Sequence, residues 1–284
     1  MPRLFCFGLG YTALALARRL AAVGWQIGGT CREPDKAAAL RARGIDAVAA
    51  DREHPPADPD RLIAEATHLL AAIPPDAAGD PALDLWGPAI ARHPGLAWVG
   101  YLSTTGVYGD RDGDWVDEAA PLAPTGERGL RRARAEAGWS ALLPGVPVHL
   151  FRLAGIYGPG RSALDTVRAG RAQRVVKPGQ VFSRVHVDDI AQVLAASIAR
   201  PRPGAAYNVC DDNPAPPDEV IAYACELLGI EPPPEVPFAT ADLSDMARSF
   251  YADNKRVSNR LIKDELGVEL LYPDYRAGLR ALLG

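Results

Sequence analysis

Ser103, Thr104 and Thr105 set consecutive hydroxyls directly after an apolar run, and Arg128, Arg131, Arg132 and Arg134 crowd guanidinium groups into one short segment. Hydroxyls at a strand end can bind a substrate carbonyl or hydroxyl, or simply cap the strand. Guanidinium groups suit a carboxylate or phosphate. Turned outward they are a solvated helix face, a reading that fits Arg131 and Arg134 better than Arg128 and Arg132. Near the N-terminus the informative feature is missing side chains, in Gly8-Leu9-Gly10-Tyr11-Thr12-Ala13. Gly8 permits a tight turn, Gly10 lets the backbone approach a pyrophosphate, and Ala13 is small enough for a helix to pack on a strand. The N–H groups around Tyr11 and Thr12 would then face the phosphates.

Those residues need particular elements around them, and the pattern supplies them. Leu4 to Phe7 reads as a short buried strand, Tyr11 to Val23 as a helix stopped by Gly24, and Trp25 to Thr30 as the next strand. Strand, glycine turn, helix, strand is a βαβ unit, so Gly8, Gly10 and Ala13 read as a dinucleotide fingerprint rather than as a glycine turn into a core helix. At the end of the second strand an acid would accept hydrogen bonds from the ribose of NAD, whereas Arg accommodates the extra phosphate of NADP. Thr30-Cys31-Arg32 has no acid at Thr30 and a guanidinium two residues later, which favours NADP, with NAD as the alternative. Glu33 beside it complicates the field, and Arg32 has a second reading as a solvated loop residue. Further on, Pro34 to Arg43 reads as a helix, and Ile45 to Ala50 as a strand ending at Asp51. Asp51 either contacts adenine or caps the following turn. His68 to Ile73 forms the next strand, with Ala71 and Ile73 at its carboxyl edge before Pro74-Pro75, where open α/β sheets bind ligands. Leu83 to His93 is helical and Leu96 to Leu102 is a fifth strand. The alternation predicts an α/β protein with a Rossmann-type, doubly wound parallel sheet.

Composition bounds the rest. A 284-residue chain with 48% hydrophobic residues can bury one sizeable core plus a smaller lobe. A net charge of −4 gives no basic surface for nucleic acid or a membrane. Cys6, Cys31, Cys210 and Cys225 form no CxxC pair, which argues against a metal site or disulfides and for a reducing, cytoplasmic setting. No apolar run is long enough to span a bilayer. Asp110, Asp112 and Asp114 around Gly113 read as a solvated turn. His186 reads as a packed, hydrogen-bonded histidine, and Asp188 and Asp189 as caps for a helix at Ile190.

From Ser103-Thr104-Thr105-Gly106-Val107-Tyr108-Gly109 onward the chain resembles the extended short-chain dehydrogenase/reductases (SDRs), the nucleotide-sugar epimerases and dehydratases. The resemblance continues in Arg152 to Gly160 (the R-x-x-x-x-Y-G-P-G turn), in His186-Val187-Asp188-Asp189-Ile190-Ala191 and in Tyr207-Asn208-Val209. It implies a nicotinamide cofactor, with Ser103 beside it, and a small-molecule substrate covered by a C-terminal lobe. It places Thr104 where the family's catalytic Ser or Thr stands.

The resemblance breaks at the Y-x-x-x-K helix. Helix 126–143, placed in register by Ala135-Glu136, has Arg128 at the tyrosine position and Arg132 at the lysine position. Arginine stays protonated at ordinary pH and cannot serve as that acid/base pair. The fingerprint is also one residue tighter than the family's usual one. Both departures match the atypical branch of the family. The expected organisation is a Rossmann domain over 1–155 and 184–230, with a smaller α+β lobe over 156–183 and 231–284. The expected function is an oxidoreductase or epimerase/dehydratase-like enzyme for a small polar or anionic substrate, with Thr104, Arg128 and Arg132 at its centre. The alternative is a non-catalytic NADP(H)-sensing regulator. A homodimer is compatible with either.

Overall fold

The computed structural model describes residues 1–283. The first half alternates β1 (Arg3–Phe7), α1 (Tyr11–Ala21), β2 (Gln26–Cys31), α2 (Pro34–Arg41), β3 (Asp46–Ala49), α3 (Pro59–Ile63), β4 (His68–Ala71), α4 (Pro81–Arg92) and β5 (Trp98–Thr104). There follow β6 (Trp115–Val116), α5 (Glu127–Ser140), β7 (Val148–Leu153), β8 (Gly155–Tyr157), α6 (Ala163–Arg168), β9 (Arg174–Val176), β10 (Arg184–His186) and α7 (Val187–Ala199). The chain ends with β11 (Ala206–Val209), α8 (Pro217–Leu228), β12 (Glu235–Pro237), α9 (Asp245–Phe250), β13 (Arg256–Val257), α10 (Arg260–Asp264) and α11 (Tyr275–Ala281).

Seven strands form one parallel sheet in the order β11-β7-β5-β4-β1-β2-β3, the Rossmann-type arrangement that the sequence predicts. The chain adds β2 and β3 on one side of β1, then crosses back to place β4 on the other side, with Phe7 opposite Ala71. The carboxyl ends of β1 and β4 therefore diverge at the topological switch point, where such sheets open a ligand crevice.

The chain divides into two compact units. The first comprises Met1–Thr104, Leu130–Arg152 and Ile190–Tyr207. Its core stacks Phe7 against Trp86 of α4 (ring centroids 4.9 Å apart) and Tyr101 of β5 against Trp139 of α5 (5.8 Å). The core also holds a charge pair. Arg152 of β7 donates Nη2 to Glu136 Oε2 of α5 at 2.9 Å, and Ser103 of β5 donates Oγ to Glu136 Oε1 at 2.5 Å, all three side chains being buried. Each lone pair of that carboxylate must be met there, because no water can meet it.

The second unit comprises Thr105–Gly129, Leu153–Asp189 and the chain from Asn208 onward. Short parallel strand pairs β8 with β10, β9 with β12 and β6 with β13 organise it. Leu164, Val220, Ala224, Tyr275 and Leu279 form its main core. Gly278 of α11 lets the Tyr157 ring pack against the helix, since a Cβ there would lie 2.1 Å from the Tyr157 hydroxyl.

Several local expectations are corrected. β5 runs on to Thr104, so Ser103 and Thr104 stand on the strand and not beyond it. The proline-rich crossing at 231–237 contains β12, because Pro237 at the end of a two-stranded edge leaves the pairing intact. α7 begins at Val187, and Asp189 lies in its first turn, where its carboxylate accepts the Leu271 and Tyr272 amides at 2.7 and 3.1 Å instead of capping a helix. Burial pushes that carboxyl up to about 6. Asp110 is not simply solvated, since it accepts the Asn254 amide at 2.6 Å. His186 is packed as expected, ringed by Tyr157 and Tyr272 and accepting the Asp188 amide at 3.2 Å.

Removing one member of the buried charge pair leaves the other uncompensated. Glu136→Ala should therefore lower unfolding free energy in urea by about 3–5 kcal/mol. A loss below about 1 kcal/mol, the range of an exposed ion pair, would show that Arg152 finds water or another acceptor.

Candidate cofactor site

The turn between β1 and α1 is shaped by contacts that leave one side of it bare. Gly8 adopts φ +92°, and a Cβ on it would come within 2.9 Å of the Ile73 side chain. Its N–H donates to Thr30 Oγ1 at 3.0 Å, and the Leu9 N–H donates to the Thr30 carbonyl at 2.6 Å. Thr30 is 1% exposed, so its hydroxyl pins the turn from within the sheet. β2 can approach this closely only because Gly29 has no side chain, as a Cβ there would sit 2.4 Å from the Cys6 carbonyl. Gly10 is the opposite case. A Cβ on Gly10 meets nothing within 4 Å, and Gly10 stands at the N-cap of α1 with no side chain capping the helix. The positive end of α1 therefore opens, at Tyr11 and Thr12, onto space that an anion can fill. Thr12 and Ala13 are buried on the inner side of the helix.

Around that opening lie the other strand ends. Ala71 is buried opposite Phe7, and Ile73 supports Gly8. Asp51 takes the second of its two readings, accepting the Glu53 and His54 amides at 2.9 and 2.7 Å and so capping the turn after β3. Those bonds, the His54 amide first, hold its carboxyl below the usual carboxylate range. Arg52 ties this turn to the loop after β4 by donating to Asp76 at 2.7 Å and to Asp84 at 2.5 Å. Arg32 is exposed, its Nε 3.8 Å from Glu33 Oε1. The structure thus gathers Gly8, Gly10, Tyr11, Thr12, Ala13, Thr30, Ala71 and Ile73 at the carboxyl ends of neighbouring strands, with Arg32 and Asp51 at the ends of β2 and β3.

At the end of β5, the Ser103 hydroxyl is committed to Glu136. Thr104 follows it, half-buried, as the last strand residue. Arg132 of α5 donates to the Leu102 carbonyl and, at 3.3 Å, to the Tyr101 hydroxyl. Burial raises the pKa of that phenol and the Arg132 charge opposes the rise. Arg128 belongs to the second unit, where it is exposed and its guanidinium lies 5.0 Å from the Phe250 ring centroid. Arg134 is exposed and Arg131 half-buried. Sequence reasoning used Glu136 only as a register mark and missed its pairing with Arg152. The signal was available, since Glu136 shares a helix face with Trp139 and Arg152 interrupts an apolar strand. Among the described residues no cluster of His, Cys, Asp or Glu could hold a metal ion, and no helix is long and apolar enough to cross a membrane.

No family model matches the chain. It is 31% identical to Protein YeeZ of Escherichia coli over 96% of this chain and 97% of that one. It is similar to the structure of a functionally unknown conserved protein from Silicibacter pomeroyi, with 56% identity, a TM-score of 0.91 and coverage of 99% and 98%. The human epimerase family protein SDR39U1, solved with NADPH, shares the fold at 17% identity and a TM-score of 0.78, with 99% of each chain covered. With the glycine turn and the strand order, the relationship is plain: the chain belongs to the atypical short-chain dehydrogenase/reductases related to the extended SDR, or NAD-dependent epimerase/dehydratase, family.

Proposed function

We propose that the chain binds NADP(H) at the β1–α1 turn and acts as an oxidoreductase or epimerase/dehydratase-like enzyme on a small polar or anionic substrate. The observation that carries the cofactor reading is the contrast between Gly8, whose Cβ would collide with Ile73, and Gly10, whose Cβ would meet nothing. A glycine at a helix start where no protein neighbour excludes a side chain leaves the room that a pyrophosphate needs. Gly8, Gly10, Tyr11, Thr12, Ala13, Ala71 and Ile73 would line the pyrophosphate side, with Thr30 holding the turn. Arg32 is free of the sheet and can reach a 2′-phosphate, which supports NADP over NAD; neighbours of the same fold are solved with either cofactor. Ser103 and Asp51 would act through the shape of the strand ends, since the Ser103 hydroxyl is bonded to Glu136 and Asp51 Oδ1 to the Glu53 and His54 amides.

Chemistry would fall to groups other than a tyrosine and lysine. Thr104 at the end of β5 can orient a substrate oxygen, and Arg132 beside it carries a permanent positive charge that stabilises a developing anion without moving a proton. A second reading, a sensor in which cofactor occupancy changes a partner surface, is favoured by one observation. The Arg132 guanidinium is already engaged by the Leu102 carbonyl and the Tyr101 hydroxyl.

Calorimetry should show NADP(H) binding about tenfold more tightly than NAD(H), with the preference abolished in Arg32→Ala. Equal affinities in the wild type would remove Arg32 from the site. Gly10→Val should keep the wild-type melting temperature, because the side chain meets open space in the protein, and should lose binding of both cofactors. Retained binding would refute the turn as the pyrophosphate site. With a panel of carbonyl compounds and sugar nucleotides, the enzyme reading expects NADPH-linked turnover that falls about a hundredfold in Thr104→Ala. No turnover on any of them, with NADP(H) binding intact, would favour the sensor.

A further inference from the structure

The loops after β3 and β4 meet, although the strands that carry them do not. In the order β4-β1-β2-β3 the two strands stand three places apart, about 14 Å at the spacing of neighbouring strands. Arg52, just after β3, nevertheless donates Nε to Asp76 Oδ2 at 2.7 Å and Nη2 to Asp84 Oδ2 at 2.5 Å. The two loops therefore lean towards each other across the carboxyl ends of β1 and β2. All of these residues belong to the first unit.

The carboxylates that receive Arg52 are themselves fixed. The other Asp76 oxygen, Oδ1, accepts the Ala78 and Gly79 amides at 2.8 and 3.1 Å, and the Asp76 amide donates to the Gly79 carbonyl at 2.9 Å. Asp84 stands on α4, and Gly79, at φ +146°, makes room for it, since a Cβ there would lie 3.0 Å from Asp84 Oδ2. Stability does not account for this arrangement. The Arg52 side chain is 30% exposed and each carboxylate 44%, and ion pairs so exposed add little to the fold. What the two carboxylates do is orient a flat group. Nε and Nη2 lie along one edge of the guanidinium, so the bonds engage that edge and not the faces. Among the described residues no aromatic ring of the protein lies over Arg52.

We propose that the Arg52 guanidinium is the platform on which the adenine ring of the dinucleotide rests. The inference deepens the cofactor reading and rests on it. That reading puts the pyrophosphate at the β1–α1 turn and the 2′-phosphate at Arg32, after β2, so the adenosine crosses the end of β2 and its base comes beside β3, where Arg52 stands. A guanidinium stacks on the face of an aromatic ring and asks nothing of the ring's hydrogen-bonding atoms. That suits this site, because Oδ1 of the neighbouring Asp51 is taken up by the Glu53 and His54 amides. A platform already held by two carboxylates loses little further freedom when the base arrives.

The test is calorimetry on the full chain with NADP(H) and with 2′,5′-ADP, the half of the cofactor that carries the base. Arg52→Ala should weaken both ligands about tenfold. Arg52→Lys keeps the charge between the carboxylates but loses the flat face, and should bind as weakly as Arg52→Ala. Arg52→Phe loses the charge but keeps a flat face, and should bind both ligands more tightly than Arg52→Lys. All three variants should melt close to the wild-type temperature, because the ion pairs are exposed. Full affinity in Arg52→Ala would overturn the proposal. So would recovery in Arg52→Lys, which would make Arg52 an electrostatic tie between the loops, or an Arg52→Phe variant no better than Arg52→Lys. A wild-type chain that binds neither ligand would remove the cofactor reading and this inference with it, whereas wild-type binding with any of those three results removes this inference alone.

Discussion

The buried contact between Glu136, Arg152 and Ser103 fixes more of the first unit than any other single interaction. It joins α5 to two strands of the sheet, β7 and β5, through one carboxylate. A carboxylate out of water needs both its charge balanced and its lone pairs filled, and those demands can be met in one arrangement only. The arrangement sets the rotation of α5 about its axis and its register along β5. Arg132, one turn earlier on the same helix face, is thereby delivered to the Leu102 carbonyl and the Tyr101 hydroxyl.

The glycine turn depends on a similar economy of small groups. Thr30 reaches Gly8 because Gly29 lets β2 lie against Cys6, and Gly8 adopts its left-handed conformation against Ile73. A larger residue at either glycine would separate the strands or push β4 away from the turn. The rigidity so obtained stops at Gly10, beyond which the N-terminal amides of α1 have no side-chain cap. A pre-formed, uncapped helix end beside a strand switch point can receive an anion without first reorganising.

Arg128 and Arg132 limit what α5 can contribute. A guanidinium holds its proton across the ordinary pH range, so it can orient and neutralise but cannot exchange a proton with a substrate. The two arginines also have unequal surroundings. Arg132 is wedged among main-chain and phenol oxygens, whereas Arg128 is exposed over an aromatic ring in the other unit. They therefore do not act as a coupled pair.

The sequence by itself determined the sheet, the glycine turn and the family, because each rests on local periodicity or on residues close together in the chain. Apolar runs ending at Phe7, Ile73 and Leu102 mark the ends of β1, β4 and β5 within two residues, and the spacing of Gly8, Gly10 and Ala13 needs no distant partner to be read. Only the tertiary structure decided which polar groups are already engaged. Ser103 looks like a free hydroxyl until Glu136 arrives from 33 residues away, and Thr30 looks like a missing acid until it is seen holding Gly8 from 22 residues away. Arg52 likewise has no sequence neighbour that marks it, and becomes notable only when Asp76 and Asp84 meet it from 24 and 32 residues away. Periodicity reports which face of an element is buried, but hydrogen-bond partners are chosen in three dimensions. Which donors and acceptors remain for a ligand is what the folded chain leaves over.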